Sequence, residues 1–147
     1  MEQLIPQLQD SYALPIEAIG NSSIGDHIRH MIEFYQCLWQ AVEQKSLVDY
    51  ESRQRNQELA LIPEVALAEL HRLKEILSQE IEDIPLLVQG VQSSLGRELQ
   101  YAFDHAVHHC ALIKAGLFVL QKKHLVADDF GVSPSTIRYR KSQLLFT

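Results

Sequence analysis

The sequence predicts an all-α domain, and three observations carry that reading. Apolar residues recur at helical spacing over three long stretches, around 24–45, 63–81 and 94–122, and no segment alternates with period two for long enough to make a strand. A 46% hydrophobic content with only six Gly and five Pro is that of a packed globular chain. At 147 residues such a chain builds one domain around one core, so residues 1–147 are read as a single unit.

Taken in order, residues 1–20 allow only a turn or two of helix, because Leu4, Ile5 and Leu8 supply an apolar face that Pro6 and Pro15 interrupt. The first long helix opens at Ser23. Its hydroxyl is placed to cap the chain, and Asp26, three positions on, completes a capping-box pattern. The helix should run from Ile24 to about Lys45, with Ile24, Ile28, Met31, Tyr35, Leu38, Trp39 and Val42 on one face. Residues 46–60 are polar and aperiodic and read as an ordered loop. Pro63 suits a first helical position, and the helix from there to Ile81 carries Ala66, Leu70, Leu73, Leu77 and Ile81 on one side. Asp83 to Gln92, with Pro85 and Gly90, reads as a connector. A third helix from about Ser94 to about Lys122 is about 43 Å long, with Leu95, Leu99, Ala102, Ala106, Ile113, Leu117 and Leu120 as its stripe. After His124 a packed tail with short turns is expected.

Composition narrows the function classes. Thirteen basic against nineteen acidic residues give a net charge of -6, which opposes a nucleic-acid backbone as the main partner. The longest apolar run, Ala115 to Leu120, is far short of a membrane span. Met-Glu-Gln-Leu-Ile-Pro does not read as a signal peptide, and a cytoplasmic protein is expected. Cys37 and Cys110 form no Cys-x-x-Cys pair and call for no disulfide framework. There is no Gly-x-Ser-x-Gly elbow and no phosphate-cradling Gly loop.

The chemistry gathers on histidine. His105 and His109 stand at i, i+4 in the third helix, so both rings project from one face a turn apart, a spacing at which helical His pairs share a metal. Ala106 follows His105 where the zincin motif needs a Glu, so any water activation must use another group. A third ligand would come from His27 or His30 in the first turns of the Ser23-capped helix, and helical geometry alone leaves both open. Three protein ligands with open positions are the arrangement of a catalytic divalent metal.

Several short motifs then fall in order along the chain: Ser23-Ile-Gly-Asp-His-Ile-Arg-His30 followed by Glu-Phe-Tyr, Tyr50-Glu-Ser-Arg53-Gln-Arg55, Arg97-Glu98-Leu, His105-Ala-Val-His-His109-Cys-Ala-Leu-Ile113 and Phe130-Gly-Val-Ser-Pro-Ser-Thr. From about residue 20 to about residue 140 the chain resembles the DinB-like (damage-inducible) family. The resemblance implies an up-down-down-up four-helix bundle, often homodimeric, in which one early His and a late His-x-x-x-His pair bind zinc, nickel or iron. It selects His30, His105 and His109 as ligands, the family pattern setting four residues between Ser-Ile-Gly and the His. His27 becomes an alternate ligand or a group behind the ligands. Some relatives transfer low-molecular-weight thiols to electrophiles or isomerise maleylpyruvate with a thiol cofactor, and a small-molecule substrate is expected here. The departure lies in the abbreviated N-terminal helix, which leaves room for a partner subunit in a homodimer.

Other residues have two readings each. Glu98 is too far along its helix from His105 for an easy shared metal bond, and serves either as first-turn charge or as partner of Arg53 or Arg55. Arg53 and Arg55 either hold an anionic substrate group or fasten their own loop. Tyr50 either donates to substrate or packs, and His108, on a different face from its neighbours, is either a surface or a hydrogen-bonding residue. Two other function classes compete with the metalloenzyme: a metal-free dimeric interaction module, and a DNA-binding protein using the helix-turn-helix-like segment from Val126 to Lys141 with Arg138, Arg140 and Lys141.

Overall fold

The computed structural model describes residues 1–144. The chain is mostly helical. Its elements are α1 (Ile5–Leu8), α2 (Ile24–Gln44), α3 (Glu58–Leu61), α4 (Pro63–Leu77), a two-stranded ribbon β1 (Pro85–Val88) and β2 (Val91–Ser94), α5 (Leu95–Val119) and α6 (Pro134–Leu144), with single 3-10 turns at 9–11, 17–19 and 123–125. The helix α2 is central: α5 packs on it, as do α3 and α4, while α1 lies against α4.

The helix starts follow their sequence signals. Ser23 Oγ accepts the Asp26 N–H at 2.9 Å and the Asp26 carboxylate accepts the Ser23 N–H at 3.0 Å, the reciprocal capping box. Ser94 caps α5 by accepting from the Arg97 N–H, and Pro63 opens α4. At its far end α2 stops on Lys45, which takes a left-handed φ of 50° and returns its N–H to the Ala41 and Val42 carbonyls.

The ribbon is a correction to the all-α expectation. Gln89 and Gly90 both have positive φ, 48° and 85°, and between them they turn Val88 back onto Val91 in antiparallel register. Four residues per strand are too few to show alternation, so the segment reads as a connector. α4 is also shorter than expected, ending at Leu77 instead of Ile81. Val48 joins the ribbon by one parallel bridge, its N–H on Leu87 O at 2.9 Å and its C=O on the Gln89 N–H at 3.1 Å. That bridge anchors the loop carrying Tyr50 and Arg53.

Two apolar clusters form the core. The larger joins Ile24, Ile28 and Ile32 of α2 with Ile113 and Leu117 of α5 and Ala66 and Leu73 of α4. It also takes Leu4, Ile5, Leu8, Tyr12, Ile16 and Ile19 from the first twenty residues. A segment without a long helix thus covers the face that the sequence left open. The smaller cluster holds Phe34, Leu38, Ala41, Val48, Tyr50 and Leu95. Trp39, assigned to the α2 stripe, is only half-buried and donates its indole N–H to Glu43 at 2.8 Å. No helix among the described residues is long and apolar enough to cross a membrane. In the tail, Gly131 (φ 73°) lies so close to the α5 backbone at Cys110 and Ala111 that no Cβ fits between. The expected short-turned tail ends instead in the 11-residue α6, preceded by a 3-10 turn of three residues where a helix-turn-helix needs its first helix.

Candidate metal centre

Docking α2 on α5 brings four imidazoles together. His30, His105 and His109 each offer one ring nitrogen, and these three atoms lie within 4.8 Å of one another. His30 Nε2 stands 2.8 Å from His105 Nε2, while His27 Nδ1 stands 2.9 Å from His109 Nδ1. His27 is therefore behind His109 and outside the converging three. His108 is exposed.

Electrostatics keep these rings neutral. Burial, then Arg53 and the facing His105 ring, hold His30 down to about 4. Burial, then the four imidazoles of His30, His105, His27 and His108, hold His109 down to about 3, and burial lowers His27 and His105 as well. Neutral imidazole is the form that ligates a metal. For zinc–nitrogen bonds of about 2.0–2.1 Å, tetrahedral geometry sets ligand nitrogens about 3.3 Å apart. The spacings present bracket that value, 2.8 Å for the tightest pair and at most 4.8 Å for the rest. The donor set of three imidazole nitrogens fits zinc, nickel or iron.

The ligands rest on an aromatic floor. Phe34, one turn after His30, stacks on His105 with centroids 4.2 Å apart and on Tyr50 at 4.7 Å. From the other side the 46–56 loop delivers Arg53, whose guanidinium lies over Phe34, donates to Tyr50 O at 2.7 Å and reaches His30 Nδ1 at 2.8 Å. Its Nε faces Glu33 Oε2 at 3.5 Å, and Glu33 Oε1 accepts the Asn56 N–H at 2.9 Å. Glu33 and Phe34 stand in the sequence reading only as part of the motif after His30, with no role of their own; their i+3 and i+4 spacing from His30 is the signal that points to these contacts.

Glu98 lies in the first turn of α5, as one of its two readings has it, but it pairs with neither Arg53 nor Arg55. It is buried, and its carboxylate accepts the Tyr50 hydroxyl at 3.0 Å and the Ser93 hydroxyl at 2.6 Å. Burial and this carboxylate push the Tyr50 phenol well above its ordinary value, so Tyr50 works as a packed, bonded loop residue. Arg55 is exposed on the same loop. The Cys37 thiol donates to Asp49 O, and burial raises its pKa; burial holds Cys110 up at about 11. Neither is a thiolate at neutral pH. A cavity of about 580 Å³ opens on the far side of Arg53, lined among others by Glu33, Cys37, Trp39, Asp49 and Ser52. It does not touch the three histidines.

No family model matches the chain, and no solved structure matches it. A 52-residue segment is 46% identical to part of FK506-binding protein 5 of Rhizopus delemar, covering 35% of this chain and 13% of that much longer protein. The likeness is thus confined to about a third of the chain.

Proposed function

We propose that the chain is a metal-dependent protein of DinB-like type, with His30, His105 and His109 holding one divalent ion and a small molecule as substrate. The observation that carries this reading is the convergence of three neutral imidazole nitrogens, within 4.8 Å, from two different helices. The ordered motifs from Ser23 to Thr136 support it. A bound ion would supply Lewis acidity at an oxygen or sulfur of the substrate. The chain's own residues set the surroundings: Phe34 and Tyr50 keep one side of the rings dry, His27 orients His109, and exposed Arg55 is the loop cation left to meet an anionic substrate group, since Arg53 is committed inward. Both cysteines are protonated, so thiol-transfer chemistry would draw its sulfur from a low-molecular-weight thiol cosubstrate.

We also infer a homodimer, resting on exposed apolar side chains at the end of α5, Phe118 and Val119. Light scattering over a dilution series tests it, and a monomer at low micromolar protein rejects it. The metal reading is tested by elemental analysis of untagged protein. About one zinc, nickel or iron per chain, lost in His105→Ala and His109→Ala with helix content retained, is the expected result. Protein that purifies free of these metals and takes up no added zinc overturns it.

A further inference from the structure

The contact between Arg53 and His30 has a consequence for how an ion enters. A guanidinium has only N–H donors and stays charged, so the 2.8 Å contact from Arg53 to His30 Nδ1 uses that nitrogen's lone pair. A neutral imidazole with a lone pair on Nδ1 carries its proton on Nε2. That Nε2 is the nitrogen facing His105 Nε2 at 2.8 Å, a hydrogen-bond distance shorter than two ligands of one ion adopt. In this state His30 donates to His105, and neither nitrogen has an electron pair free for a metal.

An alternative seat for the arginine is already built. Glu33 Oε2 and Arg53 Nε are both buried and both without a hydrogen bond, although they stand only 3.5 Å apart. The Glu33 side chain is 1% exposed and that of Arg53 12%, so the unused acceptor has no bulk water to satisfy it. The cavity behind Arg53, with Glu33 in its wall, gives the guanidinium room to shift.

We propose that Arg53 is a positioning residue that sets the ring tautomer of His30, holding it closed to metal until its guanidinium moves onto Glu33. This rests on the metal reading above. When Arg53 leaves, the His30 proton transfers from Nε2 to Nδ1, with no net gain or loss of protons, and the Nε2 electron pair turns to the ion. Ligand histidines ordinarily have an acceptor behind the ring, which favours the metal-binding tautomer; here a donor stands in that place and opposes it.

The test is two-bond 1H–15N NMR of the histidine rings together with zinc titration against a chromophoric chelator, in the wild type and in Arg53→Met. Methionine keeps an apolar stem over Phe34 and cannot donate. Expected in zinc-free wild type is the Nε2–H tautomer of His30, changing to Nδ1–H on zinc addition. Zinc-free Arg53→Met should show a mixture of tautomers and bind zinc roughly tenfold more tightly, the scale on which groups behind metal ligands act. A charge effect alone would raise affinity and leave the tautomer unmoved. Wild type already carrying Nδ1–H without zinc, or a tautomer unchanged by Arg53→Met, overturns the proposal. If zinc binds neither protein, the metal reading fails, while the zinc-free tautomers still decide the role of Arg53.

Discussion

Acidification separates this centre from three ordinary imidazoles by a large factor. An imidazole of pKa about 6.5 is only about one part in eleven neutral at about pH 5.5, so three of them would cost roughly a thousandfold in zinc affinity relative to neutral pH. Here His30 is held down to about 4 and His109 to about 3, so each is more than about nine-tenths neutral at about pH 5.5. His105 is also lowered, so its share is less than the about tenfold of an unshifted ring. Zinc affinity should therefore fall by less than about tenfold between pH of about 7.5 and 5.5. The assay is competition with a chelator of known protonation constants, paired with calorimetry at about pH 6 in two buffers of different ionisation enthalpy. Release of less than about one proton per zinc is expected, where three ordinary rings would release more than about two. A thousandfold fall, or two protons released, would refute the argument that burial and mutual repulsion keep these rings neutral.

The same depressed pKa values act on folding. The unfolded chain takes up protons on His27, His30, His105 and His109 near the ordinary pKa, while the folded chain resists until well below it. Stability is thus full above pH of about 6.5 and drains away toward about pH 4 and below, so the urea midpoint of zinc-free protein must fall across that window; a flat midpoint contradicts it. His30→Ala should abolish zinc binding, whereas His27→Ala should weaken it only about 10–100-fold through loss of the contact behind His109; the reverse order in chelator competition would make His27 the ligand in place of His30. Gly25→Ala puts a Cβ against the Ala60 carbonyl oxygen and 2.7 Å from Tyr12 Cε1. It should cost about 3 kcal/mol, or about 10 °C in thermal unfolding, and a loss under about 2 °C would mean the crossing is looser than described. Tyr50→Phe strands the Glu98 carboxylate with one partner fewer and should destabilise by about 1–3 kcal/mol in denaturant unfolding without changing zinc affinity.

The long helices were legible because each has a strong period and a local start signal: Ser23 with Asp26, Pro63, and Ser94. The pairing of His105 with His109 was legible for the same reason, since a helix face is a local property. The ribbon was not, because Gln89-Gly90 lacks the Asn-Gly or Asp-Gly signature and Pro85 and Gly90 both signal a break. Nor was the partner of Glu98, which is Tyr50 from a loop fixed only by the bridge of Val48 to the ribbon. What the residues alone left open between His27 and His30 depends on how α2 is rotated against α5, and only packing decides that. Trp39 shows the limit of the wheel: it shares the stripe with Leu38, yet the stripe's edge faces solvent.

His30 and His105 are separated by 75 positions, and that separation orders events in the life of the chain. During synthesis α2 emerges long before α5, so no ion can find three histidines until the ribosome has passed residue 109 and the two helices have docked. The His105–His109 pair offers at best a loose two-point hold in the meantime. If the centre holds an ion, its capture is therefore a late step, and its free energy would fall entirely on the assembled state. On the metal reading, metal supply would govern how long the finished protein lasts against unfolding, without speeding the search that brings distant segments together.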